Sequence, residues 1–195
     1  MVPEKREYPH TYLRRARDIF RERGLKSIVE IGCVRQPLNH PIEEFHIDCC
    51  AEGHSTMLWA AETNDFVTVD ITKESIELAR NECKRIYGKD IDARATDGTG
   101  FLRNWSRPID LLYLDAWDLG LPNSAEDHLG AFLASEDCLH DKSLVLIDDC
   151  DCKMVDSRLH FTNTGIEGKG RLVIPYALSK GWHVVFSGRQ VLLSK

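Results

Sequence analysis

Two apolar runs in this chain stop abruptly in carboxylates: Ile-Asp-Leu-Leu-Tyr-Leu-Asp-Ala-Trp-Asp (109–118) and Leu-Val-Leu-Ile-Asp-Asp-Cys-Asp (144–151). An apolar run of this length reads as a strand buried on both faces. In an open α/β sheet, ligands bind beyond the carboxyl ends of the strands. Asp115, Asp148 and Asp149 are therefore expected at that rim, aimed at one point. Such an arrangement suggests chemistry more than stability.

Three further strand ends carry polar or glycine residues. Glu30-Ile-Gly-Cys33 closes the first strand, and Gly32 lets the backbone pass close to a ligand. The G-x-G-x-x-G spacing of dinucleotide folds is absent, and the missing second glycine is expected at Gly53, after an insertion over 33–52. Asp70 ends the second strand, where a carboxylate accepts hydrogen bonds from both ribose hydroxyls and repels a 2′-phosphate. Asp97-Gly98 ends the third, where the aspartate is either a plain turn residue or an acceptor for the adenine amine.

Positioning these residues takes an alternating chain of elements. A helix is expected over 10–23, with Leu13, Ala16 and Phe20 on one face and Gly24 as its stop. Strands are expected at 27–31, 65–71, 91–96, 109–114 and 144–148, with helices between them. The helix over 124–139 turns Ala125, Leu129, Phe132 and Leu133 inward. Residues 150–168 read as a long loop, and Gly168-Lys169-Gly170-Arg171 as the entry to a last helix over 171–179. His183–Ser187 and Gln190–Ser194, separated only by Gly188-Arg189, form a closing hairpin. Alternating strands and helices predict a Rossmann-like, doubly wound α/β fold, with a mostly parallel seven-stranded sheet and a C-terminal antiparallel hairpin.

The bulk numbers bound what this fold can do. A chain of 195 residues supports one domain over 1–195, with 1–24 as a helical cap and 33–52 and 150–168 as insertions covering the site. A net charge of −6 argues against broad phosphate-backbone binding, so nucleic acid is an unlikely partner. No stretch approaches the roughly 20 apolar residues of a membrane helix. The first residues have no apolar signal core behind them, so the expected location is cytoplasmic. Seven cysteines without a secretion signal favour reduced thiols, and neither Cys49-Cys50 nor Cys150-Asp-Cys152 has common structural zinc spacing. Apolar residues on the first helix leave room for a homodimer.

The order of these strand ends, Glu-x-Gly, terminal Asp, Asp-Gly, Leu-Asp-Ala-Trp-Asp and Ile-Asp-Asp, then a closing hairpin, resembles the class I S-adenosylmethionine-dependent methyltransferases. The resemblance spans roughly residues 25–195. Leu-Asp-Ala-Trp and Ile-Asp-Asp are similar to segments of small metal-dependent O-methyltransferases. The resemblance implies S-adenosyl-L-methionine as cofactor, with Glu30, Gly32, Gly53 and Ser55 around its methionine part, Asp70 on the ribose, and Asp97 with Gly98 at the adenine. It implies a divalent metal, Mg2+, on Asp115, Asp148 and Asp149. The chemistry agrees, because three converging carboxylates repel one another unless one is protonated, and a hard cation removes that cost. Such a metal would lower the pKa of a small-molecule hydroxyl and orient it towards the cofactor methyl.

The sequence departs from the catechol type in three places. Asp118 stands where that type has a lysine base, Asp149 where it has Asn, and residues 33–52 interrupt the glycine motif. His128, near the start of its helix, is the best remaining candidate base. Lys153 is placed to assist a developing alkoxide, and His54 and His160 are further nominees. Two other readings stay open: a nucleotide-dependent oxidoreductase, and a methyltransferase-like binding module that has lost its chemistry.

Overall fold

The computed structural model describes residues 9–38, 54–156, 158–162 and 164–195. Gly53, Cys49 and Cys50, and most of the 33–52 insertion, lie outside the described residues.

The helices are α1 (Pro9–Glu22), α2 (Ser55–Glu62), α3 (Lys73–Tyr87), α4 (Gly98–Arg103), α5 (Ser124–Ser135) and α6 (Val173–Ser179). The strands are β1 (Ser27–Ile31), β2 (Asp65–Asp70), β3 (Asp92–Ala95), β4 (Ile109–Leu114), β5 (Leu139–Ile147), β6 (Cys152–Val155), β7 (Arg158–Phe161), β8 (His183–Phe186) and β9 (Val191–Ser194). Seven strands form one sheet in the order β3-β2-β1-β4-β5-β9-β8. Strands β1 to β5 run parallel, and β9 is inserted antiparallel between β5 and β8, as the closing hairpin predicted.

Side chains alternate along each strand and supply two cores. Leu111 and Tyr113 face one way, packing with Leu13, Phe20 and Trp59 of α1 and α2. Leu112 and Leu114 face the other, packing with Leu102, Phe132 and Ile174 of α4, α5 and α6. Burying both faces is what makes the central strands continuous apolar runs.

The N-terminal helix packs into the first of these cores. Leu13, Ala16 and Phe20 are almost fully buried within the chain's own core. Gly24 ends the helix with φ at +66°, the left-handed conformation a glycine takes at low cost.

Three expectations need correction. The predicted helix over 124–139 stops at Ser135, followed by one short 3-10 turn, and Leu133 is exposed. Strand β5 begins five residues before the predicted 144, at Leu139, which pairs with Ile109. The segment 150–168 is not simply loop, because β6 and β7 pair antiparallel as a separate two-stranded sheet.

Candidate functional site

Register lines up the rim. Ile31 pairs with Val69 on one side and Leu114 on the other, and Leu114 pairs with Ile147. One residue further, Gly32, Asp70, Asp115 and Asp148 therefore stand in a row along the carboxyl edge of β2, β1, β4 and β5. Backbone bonds carry the row past the strands: Gly32 N donates to Val69 O, Asp115 N to Ile31 O, and Asp148 N to Leu114 O. Gly32 sits at φ +93°, and a Cβ there would lie 2.7 Å from the Asp115 carbonyl carbon. No other residue fits this crossing without moving the chain.

A cleft of about 360 Å³ opens at the row, lined among others by Gly32, Asp70, Asp97, Gly98, Asp115 and Trp117. That volume is in the range of small-molecule sites. Asp70 accepts hydrogen bonds from the backbone N–H groups of Cys33 at 3.2 Å and Thr72 at 2.8 Å. Both contacts fix its carboxylate at the cleft wall. Asp97 caps α4, accepting from Gly100 N at 2.6 Å. Asp97 thus caps the helix as a turn aspartate and also lines the cleft. At the mouth, Arg35 and Asp118 form a two-pronged ion pair at 3.0 and 3.1 Å. Asp118, which stands where the catechol type has its lysine base, thus faces a cation.

Glu30 and Ser55 sit deeper than expected. Glu30 is fully buried and accepts from Ser55 Oγ at 2.7 Å, Thr56 Oγ1 at 2.8 Å and Thr68 Oγ1 at 2.7 Å. It joins β1 to α2 and β2, and does not line the cleft. Burial pushes its carboxyl up to about 8, against the three hydroxyl donors that favour the charged form.

The acidic trio does converge, with ligand oxygens of Asp115, Asp148 and Asp149 all within 4.8 Å of one another. Its charge, however, is met from within the chain. Lys169, 1% exposed, places Nζ 2.8 Å from Asp115 Oδ1 and 3.3 Å from Asp149 Oδ2. Burial alone would lower the lysine's pKa, but Asp115, Asp149 and Asp148 outweigh it and hold it above its ordinary value. Arg189 adds a second cation, 3.6 Å from Asp148 Oδ1 and 3.7 Å from Asp149 Oδ1. Burial, then Asp149 and Asp115, push the Asp148 carboxyl up to about 7. Gln190 Nε2 donates to Asp148 Oδ1 at 3.0 Å, and the buried Tyr113 hydroxyl donates to Asp115 Oδ2 at 3.2 Å. The oxygens suit a divalent cation in type and spacing, but not in charge. An ammonium already lies among them, so the residues as they stand do not fit a metal.

Sequence reasoning missed Lys169 and took it for a helix entry. The signal present was its glycine flanks. A Cβ on Gly168 (φ +54°) would fall 1.9 Å from Asp149 O, and one on Gly170 would fall 2.6 Å from Cys150 Sγ. Only glycines let this turn press against the end of β5 and insert the lysine between them.

The nominated bases lie elsewhere. His128 is fully buried, lines neither cleft, and contacts the Trp117 ring edge-on at 5.1 Å. Its Nδ1 lies 2.6 Å from Ser124 O, which fixes the Nδ1–H tautomer. Burial, with Lys169 second, pushes its pKa down to about 3, which makes it a poor base at neutral pH. Lys153, on β6, lines a second cleft of about 380 Å³ with Glu167, Arg171 and Leu121, the last shared with the first cleft. His54 is buried beside α2, and His160 is exposed on β7.

Comparison with solved structures identifies the fold. The chain is similar to the S-adenosylhomocysteine-bound methyltransferase PaMTH1 of Podospora anserina, with TM-score 0.59 and 18% identity over 94% of this chain and 77% of that one. It is similar to the N-methyltransferase NodS of Bradyrhizobium japonicum WM9, with TM-score 0.58 and 16% identity over 94% and 91%. An rRNA methylase of Streptococcus thermophilus matches with TM-score 0.57 and 13% identity over 93% and 94%. The architecture is the Rossmann-like fold of class I S-adenosylmethionine-dependent methyltransferases. No family model matches the chain, and no curated protein matches it in sequence. Among the described residues, no helix is long and apolar enough to cross a membrane.

Proposed function

We propose that this chain is an S-adenosylmethionine-dependent methyltransferase that methylates a hydroxyl of a small molecule. The observation that carries the reading is the row Gly32, Asp70, Asp115 at the carboxyl edge of β1, β2 and β4, opening on a cleft of about 360 Å³. It lies where open α/β sheets take ligands. Asp70 accepts from the ribose hydroxyls, Gly32 leaves the backbone bare beside the methionine part, and Asp97 with Gly98 borders the adenine.

The acceptor occupies the second cleft, which meets the first at Leu121. Its hydroxyl reaches past Leu121 into the first cleft, where Asp115 lines the wall and orients it. Lys153, on the second cleft, favours negative charge on the acceptor; the oxygen–methyl bond forms as the sulfonium bond breaks, and the hydroxyl proton passes to solvent water. The gain comes from placing two reactants in line, the main lever when the electrophile is already activated. A metal-assisted version rests on the spacing of the acidic trio alone, and the ammonium inside that trio favours transfer without one. The net charge of −6 favours a small acceptor over a nucleic acid.

The test is transfer of tritiated methyl from the cofactor to a panel of hydroxylated small molecules and to RNA, with chelator present. Label on a small-molecule oxygen is expected. Label on RNA alone would overturn the acceptor class, and label on nothing would favour a binding module.

A further inference from the structure

We propose that Lys169 is the resident cation of the acidic rim, holding the position a divalent metal would take and making the site metal-independent. The inference deepens the methyl-transfer reading and rests on it only for the consequence in catalysis. The geometry itself is independent of the cofactor.

Four observations point the same way. The ammonium lies 2.8 Å from Asp115 Oδ1 and 3.4 Å from Asp115 O, just past the end of β4, and 3.3 Å from Asp149 Oδ2, just past the end of β5. It therefore bridges β4 and β5 as a shared ion would. Its side chain is 1% exposed, so the charge is enclosed among its partners rather than dangling over them. The backbone that delivers it is pinned, because Lys169 N donates to Asp149 O at 3.3 Å and Glu167 N to Cys150 O at 2.9 Å. Gly168 and Gly170 let the turn lie so close to Asp149 O and Cys150 Sγ that a side chain at either position would push the lysine-bearing backbone away.

The lysine differs chemically from a metal in one respect. A divalent ion keeps open positions that can bind a substrate oxygen. An ammonium has three protons to donate, and here they face Asp115 and Asp149. Lys169 therefore holds the Asp115 carboxylate in place, and takes no acceptor oxygen itself. It is a positioning residue, acting through Asp115. Removing it would leave a group of carboxylates whose mutual repulsion a hard cation would relieve.

The test is Mn2+ binding to the whole chain, read from the electron paramagnetic resonance signal of the free ion. Wild type is expected to leave that signal undiminished up to about 1 mM ion, whereas K169A should bind Mn2+ at least about tenfold more tightly. A merely structural lysine would not yield a metal site on removal. Stoichiometric Mn2+ binding by wild type that D149N abolishes would overturn the proposal, and so would a folded K169A that binds none. Should K169A fail to fold, wild type alone decides: S-adenosylhomocysteine affinity in chelator and in Mn2+ should agree within about twofold, and about tenfold tightening by Mn2+ would overturn the inference. Wild type that ignores Mn2+ and binds no S-adenosylhomocysteine would refute the function proposed above, leaving the lysine's role supported.

Discussion

The two halves of the rim use the same residue type differently. On the β1–β2–β3 side, Asp70 and Asp97 face an open cleft, and their recorded partners are backbone N–H groups of the adjoining turns. On the β4–β5 side, Asp115, Asp148 and Asp149 face Lys169 and Arg189, delivered from segments far along the chain. A strand-end aspartate is thus left with backbone donors alone or held in an ion pair according to whether the fold brings a cation to it. On the proposed reading the first half recognises the cofactor, while the ion pairs of the second fix Asp115 on the wall of the same cleft.

The difference can be broken most forcefully at its centre. K169M leaves buried carboxylates without their main cation, and a loss of about 3–5 kcal/mol in chemical denaturation is expected. G32A strikes the seam between the halves, where a Cβ would meet the Asp115 backbone at a left-handed φ. About 2 kcal/mol of stability should go, with weakened S-adenosylhomocysteine binding in calorimetry.

Glu30 tests the layer beneath. Its carboxyl is raised to about 8 in the fold from the ordinary 4.5, so the folded chain keeps a proton that the unfolded chain releases in between. The associated stability is complete below the lower value and falls as pH rises to the upper, by at most about 1.4 kcal/mol per pH unit. The stability of wild type relative to E30Q should therefore decline between those values and level off above them. Thermal melts of the two proteins across pH check this. The smallest effect is expected at the exposed Arg35–Asp118 pair, where R35A should change stability by no more than about 1 kcal/mol in the same melts.

These contrasts also explain what could be read from the chain. Strands β1, β2 and β4 were legible because burial on both faces writes them as apolar runs, and the carboxylates mark where they stop. The register that aligns Gly32, Asp70, Asp115 and Asp148 then follows from parallel pairing. Strand β5 was legible only in its second half, because His140, Asp141 and Lys142 interrupt the apolar pattern and only pairing with β4 extends it. The hairpin of β6 and β7 was hidden because it is mostly exposed, with Cys152 its only fully buried side chain among the described residues, and because Asp156 rather than a glycine takes the positive φ in its turn. Lys169 was hidden for another reason. Its partner Asp115 is 54 residues away, and no local period announces a contact at that range. His128 was legible as a residue near the site, but its burial, which sets its basicity, was not.

The central claim is that the open half of the rim holds the cofactor. Isothermal titration of S-adenosylhomocysteine into wild type and D70A tests it most directly. The account predicts saturable one-to-one binding by wild type and about tenfold weaker binding by D70A, the loss of about 1.4 kcal/mol of ribose recognition. Equal affinity in the two proteins, or no binding by wild type at millimolar ligand, would contradict it.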